Sequence, residues 1–405
     1  MATTTPSSLS DVGVLPRIPP ELWLRIFDLA TNVAGLLDCG GPFPSDLPHA
    51  IVKQREQRLL RESLVTKRNL VLVCRAWHEL AVEFLYKSVL ITRVHALSSL
   101  YASLQRGACA ISPSSRLGWW TRRLDVVIED DRCEASDYSV LALVLRHFSK
   151  LSIITLSMPM LPFNDCWLRQ LPTSVITSLA ETCGPSLQLF DCSESILRPC
   201  REDLMVLLAA TPNLRVLRCP ICSPTPGDKS SKTPRLDLPC HDANCLPALR
   251  QLTYDCIPPP FFDHAWKNFV KLSCSNLTTV TLDFCLQGEL LQKELDLLAE
   301  CCQALDKLVI HLRSWSEMKP YLAFPPITYL GLHSKLVNAP DFHYQALISA
   351  LGTLSGAGLK IVRIIHAGAS EDLRRSHTWL PLDDLTSLAS RTFRLEDHEG
   401  NLLLD

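Results

Sequence analysis

No apolar run in this 405-residue chain approaches the roughly 18 residues that span a bilayer. The opening stretch, MATTTPSSLSDVGVLP, has neither the positive segment nor the apolar core of a secretory leader. An excess of one charge is missing too. Forty Lys and Arg stand against 42 Asp and Glu, a formal net charge of −2, so nothing in the balance calls for nucleic acid or an anionic membrane. Catalytic signatures are equally scarce. There is no Gly-x-Ser-x-Gly elbow, and none of the 12 histidines falls in a recognisable catalytic motif. The glycine-rich stretch GTLSGAG at 352–358 lacks the Lys-Ser/Thr end of a P-loop and precedes a strand pattern, so it reads as a turn ending a helix. The sequence gives no reason to expect a cofactor or a catalytic centre.

Cysteine, by contrast, is plentiful. The 17 cysteines are odd in number and scattered, and most sit beside apolar residues, as in LFDCS and LDFC. A secreted disulfide scaffold is normally short and loop-rich. The expectation is reduced cysteine acting as a small core hydrophobe in an intracellular protein, cytoplasmic or nuclear. One group could be posed as a zinc site: Cys219-x-x-Cys222 followed by Cys240, His241 and Cys245. Against zinc, Cys219 occupies the apolar position of a strand pattern, and the favoured reading is no metal.

Two N-terminal stretches carry helical periodicity. In 18–32, IPPELWLRIFDLATN, Pro19 and Pro20 open a helix where a missing N–H costs nothing. Leu22, Ile26, Leu29, Ala30 and Val33 then form one apolar stripe. In 70–81, LVLVCRAWHELA, the stripe is Val73, Trp77, Leu80 and Ala81, continued by Phe84. Two short helices bury little core, so these stripes need the rest of the chain or another protein as partner. Between them lies a turn-rich loop at 38–44, followed by a charged segment, 51–63, expected to be a solvated helix with mixed-sign pairs.

Ile18, Pro19, Glu21, Leu22, Ile26 and Phe27, followed by Val73, Cys74, Arg75, Trp77 and Leu80, resemble the F-box pattern Leu-Pro-x-Glu-Leu, Ile-Phe, then Val-Cys-Arg-x-Trp-x-x-Leu. The halves stand farther apart than the family usually places them, with 57 positions from Pro20 to Trp77. An insertion around residues 34–67, as in F-box-like proteins of fungi, accounts for that. The resemblance implies docking onto the SKP-family adaptor of a cullin–RING ubiquitin ligase, with Pro19, Leu22, Ile26, Phe27, Val73, Cys74, Trp77 and Leu80 as adaptor-binding residues. It implies further that the remainder of the chain captures a protein target, without catalysis of its own.

That remainder repeats. The unit is an apolar residue, two others, an apolar residue, one other and an apolar residue, followed by a helical segment. It occurs at Leu151–Ile154–Leu156, Leu187–Phe190–Cys192, Leu214–Leu217–Cys219, Leu249–Leu252–Tyr254, Leu277–Val280–Leu282, Leu305–Leu308–Ile310, Ile327–Leu330–Leu332 and Leu359–Val362–Ile364, with a weaker copy at Leu124–Val126–Ile128. The eight starts are 36, 27, 35, 28, 28, 22 and 32 residues apart, an irregular period near that of leucine-rich repeats, whose Asn213-Leu214 type of start these units resemble.

The fold expected is therefore α/β: a disordered 1–14, a helical F-box-like unit at 15–87, and an irregular leucine-rich-repeat-like solenoid at 88–405. The solenoid is expected to be interrupted by an exposed loop at 223–234 and closed by a capping hairpin around 391–405. Residues between the inward-facing strand positions should line its concave side. These are Arg218, Thr253, Asp255, Thr281, Asp283, His311, Arg313, Tyr329 and His333, the candidate contacts for a protein target. The competing reading is a repeat scaffold whose F-box-like helices only cap the stack. The paired Trp119 and Trp120 beside Arg122 and Arg123 read as the turn leading into the first repeat strand rather than an RNA platform.

Overall fold

A computed structural model describes residues 18–38, 49–108, 117–128, 135–158, 169–195, 197–219, 246–256, 269–271, 274–284, 288–319, 322–334, 341–354, 358–366, 371, 388 and 391–403. The loop expected at 223–234, the segment 1–14 and residues Cys222, Cys240, His241 and Cys245 lie outside them.

The fold is α/β, built on one large parallel sheet. Its strands are β1 (Ser88–Ile91), β2 (Arg123–Val127), β3 (Ile153–Met158), β5 (Leu189–Ser195), β7 (Val216–Arg218), β8 (Gln251–Cys256), β9 (Thr279–Phe284), β10 (Lys307–Leu312), β11 (Tyr329–Ser334), β12 (Ile361–Ile364) and β13 (Arg394–Glu396). They lie in that order, each beside its predecessor. Short β4 (Arg169–Gln170) and β6 (Leu197–Arg198) form a separate parallel pair.

Register explains the order. One lateral row across the sheet reads Leu124, Ile154, Phe190, Leu217, Leu252, Val280, Leu308, Leu330, Val362 and Leu395. All ten are buried in one continuous core. A residue two positions on points the same way, and Tyr254, Leu282, Ile310, Leu332 and Ile364 form the next buried row. The first apolar residue of each of the eight clear units is buried as well. Main-chain bonds repeat in step: Arg215 N–H donates to Gln188 O, Arg250 to Arg215, Thr278 to Arg250, Asp306 to Thr278, Thr328 to Asp306 and Lys360 to Thr328.

Helices follow most strands. The sheet-covering set is α4 (Val94–Ala108), α5 (Ala135–Leu145), α6 (Thr173–Ser178), α7 (Arg201–Ala210), α8 (Gly288–Cys301) and α9 (Asp341–Thr353). Leu141, Val175, Leu207, Leu298 and Leu347 from five of them join the core of the inward rows. Ahead of them lie α1 (Pro20–Thr31), α2 (His49–Val73) and α3 (Arg75–Lys87). Among the described residues no helix is long and apolar enough to cross a membrane.

Where neighbouring units touch, backbone meets backbone. Gly118 sits in the turn before β2, and a Cβ there would lie 2.3 Å from His147 O, just past α5. Gly118→Ala is expected to cost about 2 kcal/mol, because the obstacle is main chain and cannot swing away. A urea midpoint within error of the parent would contradict this close approach.

Several expectations need correction. The charged 51–63 segment is not a freely solvated helix. It belongs to the 25-residue α2, and Val52, Lys53, Gln57, Leu60, Ser63, Lys67 and Val71 are all buried. The second apolar stripe is not one helix: Val73 ends α2 and Cys74 caps α3. The C-terminal hairpin is reduced to a single antiparallel bridge, Glu396 to Leu402. Its turn is organised by Asp397, whose carboxylate accepts from the Glu399 and Asn401 N–H groups and from Asn401 Nδ2. Burial pushes that carboxyl upward, but these bonds outweigh it and hold it below its usual value.

Candidate functional site

The first candidate surface is α1. Pro20 occupies its first position, and the Leu22 and Trp23 N–H groups donate to Pro19 O. Two faces of this helix then diverge. Phe27 and Thr31 are buried, with Trp23 and Leu24 packed alongside against α2 and α3. The opposite face carries Leu22 at 52% exposure, Ile26 at 45% and Leu29 at 75%. Offsets of four and three residues place them on one stripe. Exposed Ile18 precedes it, and exposed Leu72 and Val73 close α2.

The helices are joined by aromatic packing. Trp23 and Trp77 rings lie 4.7 Å apart, Phe27 and Trp77 4.9 Å, and Phe27 and Phe84 meet edge-on at 6.4 Å. Leu80 packs into the same cluster. Cys74 Sγ caps α3 by accepting from Trp77 N–H at 3.5 Å, and the His78 ring reaches Val71 O on α2. The predicted adaptor set therefore divides. Pro19, Leu22, Ile26, Val73 and Cys74 are exposed, whereas Phe27 is fully buried and Trp77 and Leu80 half-buried between the helices. The apolar stripe of α1, whose partner the sequence left open between the chain itself and another protein, faces solvent at Leu22, Ile26 and Leu29, and inward packing falls to Trp23, Leu24 and Phe27.

The second candidate surface is the sheet face opposite the helices. In register it reads Asp125, Thr155, Asp191, Arg218, Thr253, Thr281, Val309, Gly331, Arg363 and Glu396. Its first half is covered. Lys53 of α2 reaches Glu194 at 3.3 Å and Asp191 at 3.9 Å. Arg123 bonds Glu56 of α2 at 2.7 Å, Asp125 at 2.7 Å and Leu36 O at 2.8 Å. Burial alone would lower the Arg123 pKa, but Asp125 and Glu56 outweigh it and raise it.

Arg218 is consequently not a solvated strand residue. It is buried and paired with Asp191 at 3.3 Å. Tyr329 is also buried, packed with Val309 and Ile365. The second half of the face is mixed, with Val309, Gly331 and Glu396 buried. Thr253, Thr281, Asp283, His311 and His333 are half-buried there, and Arg313 is exposed just past β10. Asp255 pairs in register with Asp283, but its side chain lies outside the described residues. His311 and His333 rings lie 5.1 Å apart, with His366 5.8 Å farther along. Sequence reasoning missed His366, which follows the end of β12, just beyond the repeat pattern.

Several described cysteines have thiols held well above their ordinary pKa. Burial pushes the Cys183 thiol up to about 12 and raises Cys192. A hydrogen bond with Cys302, then burial, raises Cys274. Cys219 is buried with its sulfur 3.3 Å from Cys192, in the core position expected of it. Among the described residues no three His, Cys, Asp or Glu side chains are grouped to hold a metal ion. Neither the protein-family models nor the curated proteins contain a match to this chain.

Proposed function

We propose that this chain is a non-catalytic recognition subunit of an SKP–cullin–F-box type ubiquitin ligase. In this reading α1 to α3 form an F-box-like unit, and the sequential parallel sheet with its helices is an irregular leucine-rich-repeat-like solenoid. The unit docks an SKP-family adaptor, and the second half of the sheet face holds a protein target. Proximity is then the protein's whole contribution to ubiquitin transfer. Such a subunit works inside the cell, in cytoplasm or nucleus, and needs no cofactor.

The observation that carries the reading is the outward apolar stripe of Leu22, Ile26 and Leu29. Scattered exposed hydrophobics are ordinary, but a linear stripe backed by a rigid aromatic cluster is what a helical partner surface requires. The scaffold reading would use these helices as a cap. Yet α2 covers the sheet with other residues, Lys53 and Glu56, and the α1 stripe stays exposed. The target surface mixes Thr, Asp and His, which suits a protein or peptide better than a polyanion.

The test is co-purification of the full chain with an SKP-family adaptor. A stable one-to-one complex is the expected result. A monodisperse chain that ignores every adaptor offered would sink the ligase reading and favour the scaffold.

A further inference from the structure

Helix α2 turns one face to the chain and the other to solvent. The inner face is pinned to the sheet, with Lys53 3.3 Å from Glu194 and Glu56 2.7 Å from Arg123. The outer face carries Ile51 at 40% exposure, Val65 at 61% and Leu72 at 70%. Gln54, Arg58, Arg61 and Arg68 stand between them, and all four are exposed as well. From Ile51 to Leu72 the steps alternate between three and four residues, which keeps these side chains on one straight stripe. At 1.5 Å per residue the stripe runs for about 30 Å.

The stripe is cationic. Among the described residues Arg55, Arg61 and Arg68 make no ion pair. Arg58 meets Glu62 at 3.4 Å, with both side chains largely exposed, so water screens that pair and little holds it together. Of the lysines and arginines of α2, both lysines are buried and every arginine is exposed. A guanidinium lays a planar fork on a carboxylate while its stem covers apolar neighbours. Arg55, Arg58 and Arg61 also follow one another at steps of three, a spacing at which like charges destabilise a helix. Carboxylates set among them from outside would relieve that repulsion.

We propose that the outer face of α2 docks an acidic amphipathic helix of a partner protein. Apolar side chains of that helix cover Ile51, Val65 and Leu72, and its glutamates or aspartates pair with Arg58, Arg61 and Arg68. Charge argues against a second copy of this chain. Antiparallel pairing that matches Ile51 with Leu72 sets Arg61 against Arg61, and parallel pairing in register sets every arginine against its own counterpart. The apolar members of the stripe separate a helix from a polyanion. Nucleic-acid phosphates would meet the arginines and leave Val65 and Leu72 in water. A bilayer would need apolar side chains along the whole stripe, and Gln54 and the three arginines interrupt it. The inner contacts hold α2 in place before any partner arrives, so docking has only side chains to order. The docked helix uses neither the α1 stripe nor the sheet face, so the proposal stands or falls apart from the ligase reading.

The experiment is fluorescence anisotropy of a labelled synthetic helix of about 25 residues, long enough to cover the stripe. Its leucines recur at alternating steps of three and four, with glutamates flanking them. The full chain should bind it with a Kd below about 100 µM in about 0.1 M sodium chloride. A peptide with lysine in place of every glutamate should bind at least tenfold more weakly. Arg61→Glu with Arg68→Glu should weaken capture of the acidic peptide at least tenfold. Because both residues are exposed, the thermal midpoint of the chain should stay in place. Val65→Asn with Leu72→Asn should weaken capture at least threefold, a loss that attraction between charges alone would not show. A Kd above that limit, equal binding of the two peptides, or unchanged binding in either variant overturns the proposal. So does tighter binding of a short DNA duplex or of phosphatidylserine vesicles than of the acidic peptide.

Discussion

Leu22→Asp combined with Ile26→Asp should abolish adaptor capture while leaving the melting curve of the chain in place. Both side chains are about half exposed on the outward face of α1, so the carboxylates they acquire remain in water and cost the fold little. At an adaptor interface the same carboxylates would be desolvated. Together with the lost apolar anchors, that should lower affinity at least a hundredfold, since truncating a single anchor costs about 2 kcal/mol or more. Titration calorimetry or surface plasmon resonance with the adaptor, beside a thermal melt, gives both numbers. Trp77→Ala is the contrast. Its ring lies 4.7 Å from Trp23 and 4.9 Å from Phe27, so it should lose about 3 kcal/mol of stability whether or not an adaptor exists. Undiminished adaptor binding by the double aspartate variant would remove α1 from the interface.

Much of the parallel sheet could be read directly from the sequence because a parallel strand imposes a strict demand. Ile154 and Leu156, or Leu308 and Ile310, must alternate to reach the helix side, and the leucine three positions earlier must turn inward under the preceding loop. Those constraints are local and tolerate few substitutions, so the apolar spacing survives variable helix lengths. Polar seams between units were less visible. Asn213 Nδ2 donates to Pro185 O, and Asn276 Nδ2 to Pro247 O. Each is the residue just before the first leucine, a position where an amide can bridge to the previous turn.

The α2 helix was misread for a physical reason. Its buried stripe runs Val52, Lys53, Gln57, Leu60, Ser63, Lys67 and Val71. The spacing is helical, but four of the seven residues are polar, so a search for apolar periodicity passes over it. Their burial depends on partners far away in sequence, such as Asp191 and Glu194 for Lys53, and no local pattern announces those. The α1 stripe was legible only in part, with its partner left open between the chain itself and another protein. Its periodicity was real, but periodicity fixes only which residues share a face. Whether that face meets the chain's own core or solvent depends on where Trp23 and Phe27 find room, and the large aromatics took the inside.

Arg123→Met should destabilise the N-terminal repeats by about 3–5 kcal/mol. Asp125 is fully buried, and Arg123 is the cation that bonds it while also reaching Glu56 and Leu36 O. Removing the guanidinium strands a carboxylate inside the sheet face, the costly way to break a buried pair. Glu56→Gln should cost only about 1 kcal/mol, because that carboxylate is one-third exposed. Arg123→Met with Asp125→Leu should recover most of the loss, since replacing both partners leaves no orphaned charge. Because each strand of the large parallel sheet pairs only with its neighbours in chain order, the damage should stay local. Hydrogen exchange should accelerate in α2 and in β1 to β3, while β9 to β11 keep their protection. Uniform acceleration would mean that α2 supports the whole stack rather than closing one end of it. Local acceleration would give α2 a defined job: its ionic contacts close the sheet face over the first strands and leave the half-buried Thr253, Thr281, Asp283, His311 and His333 beyond its reach.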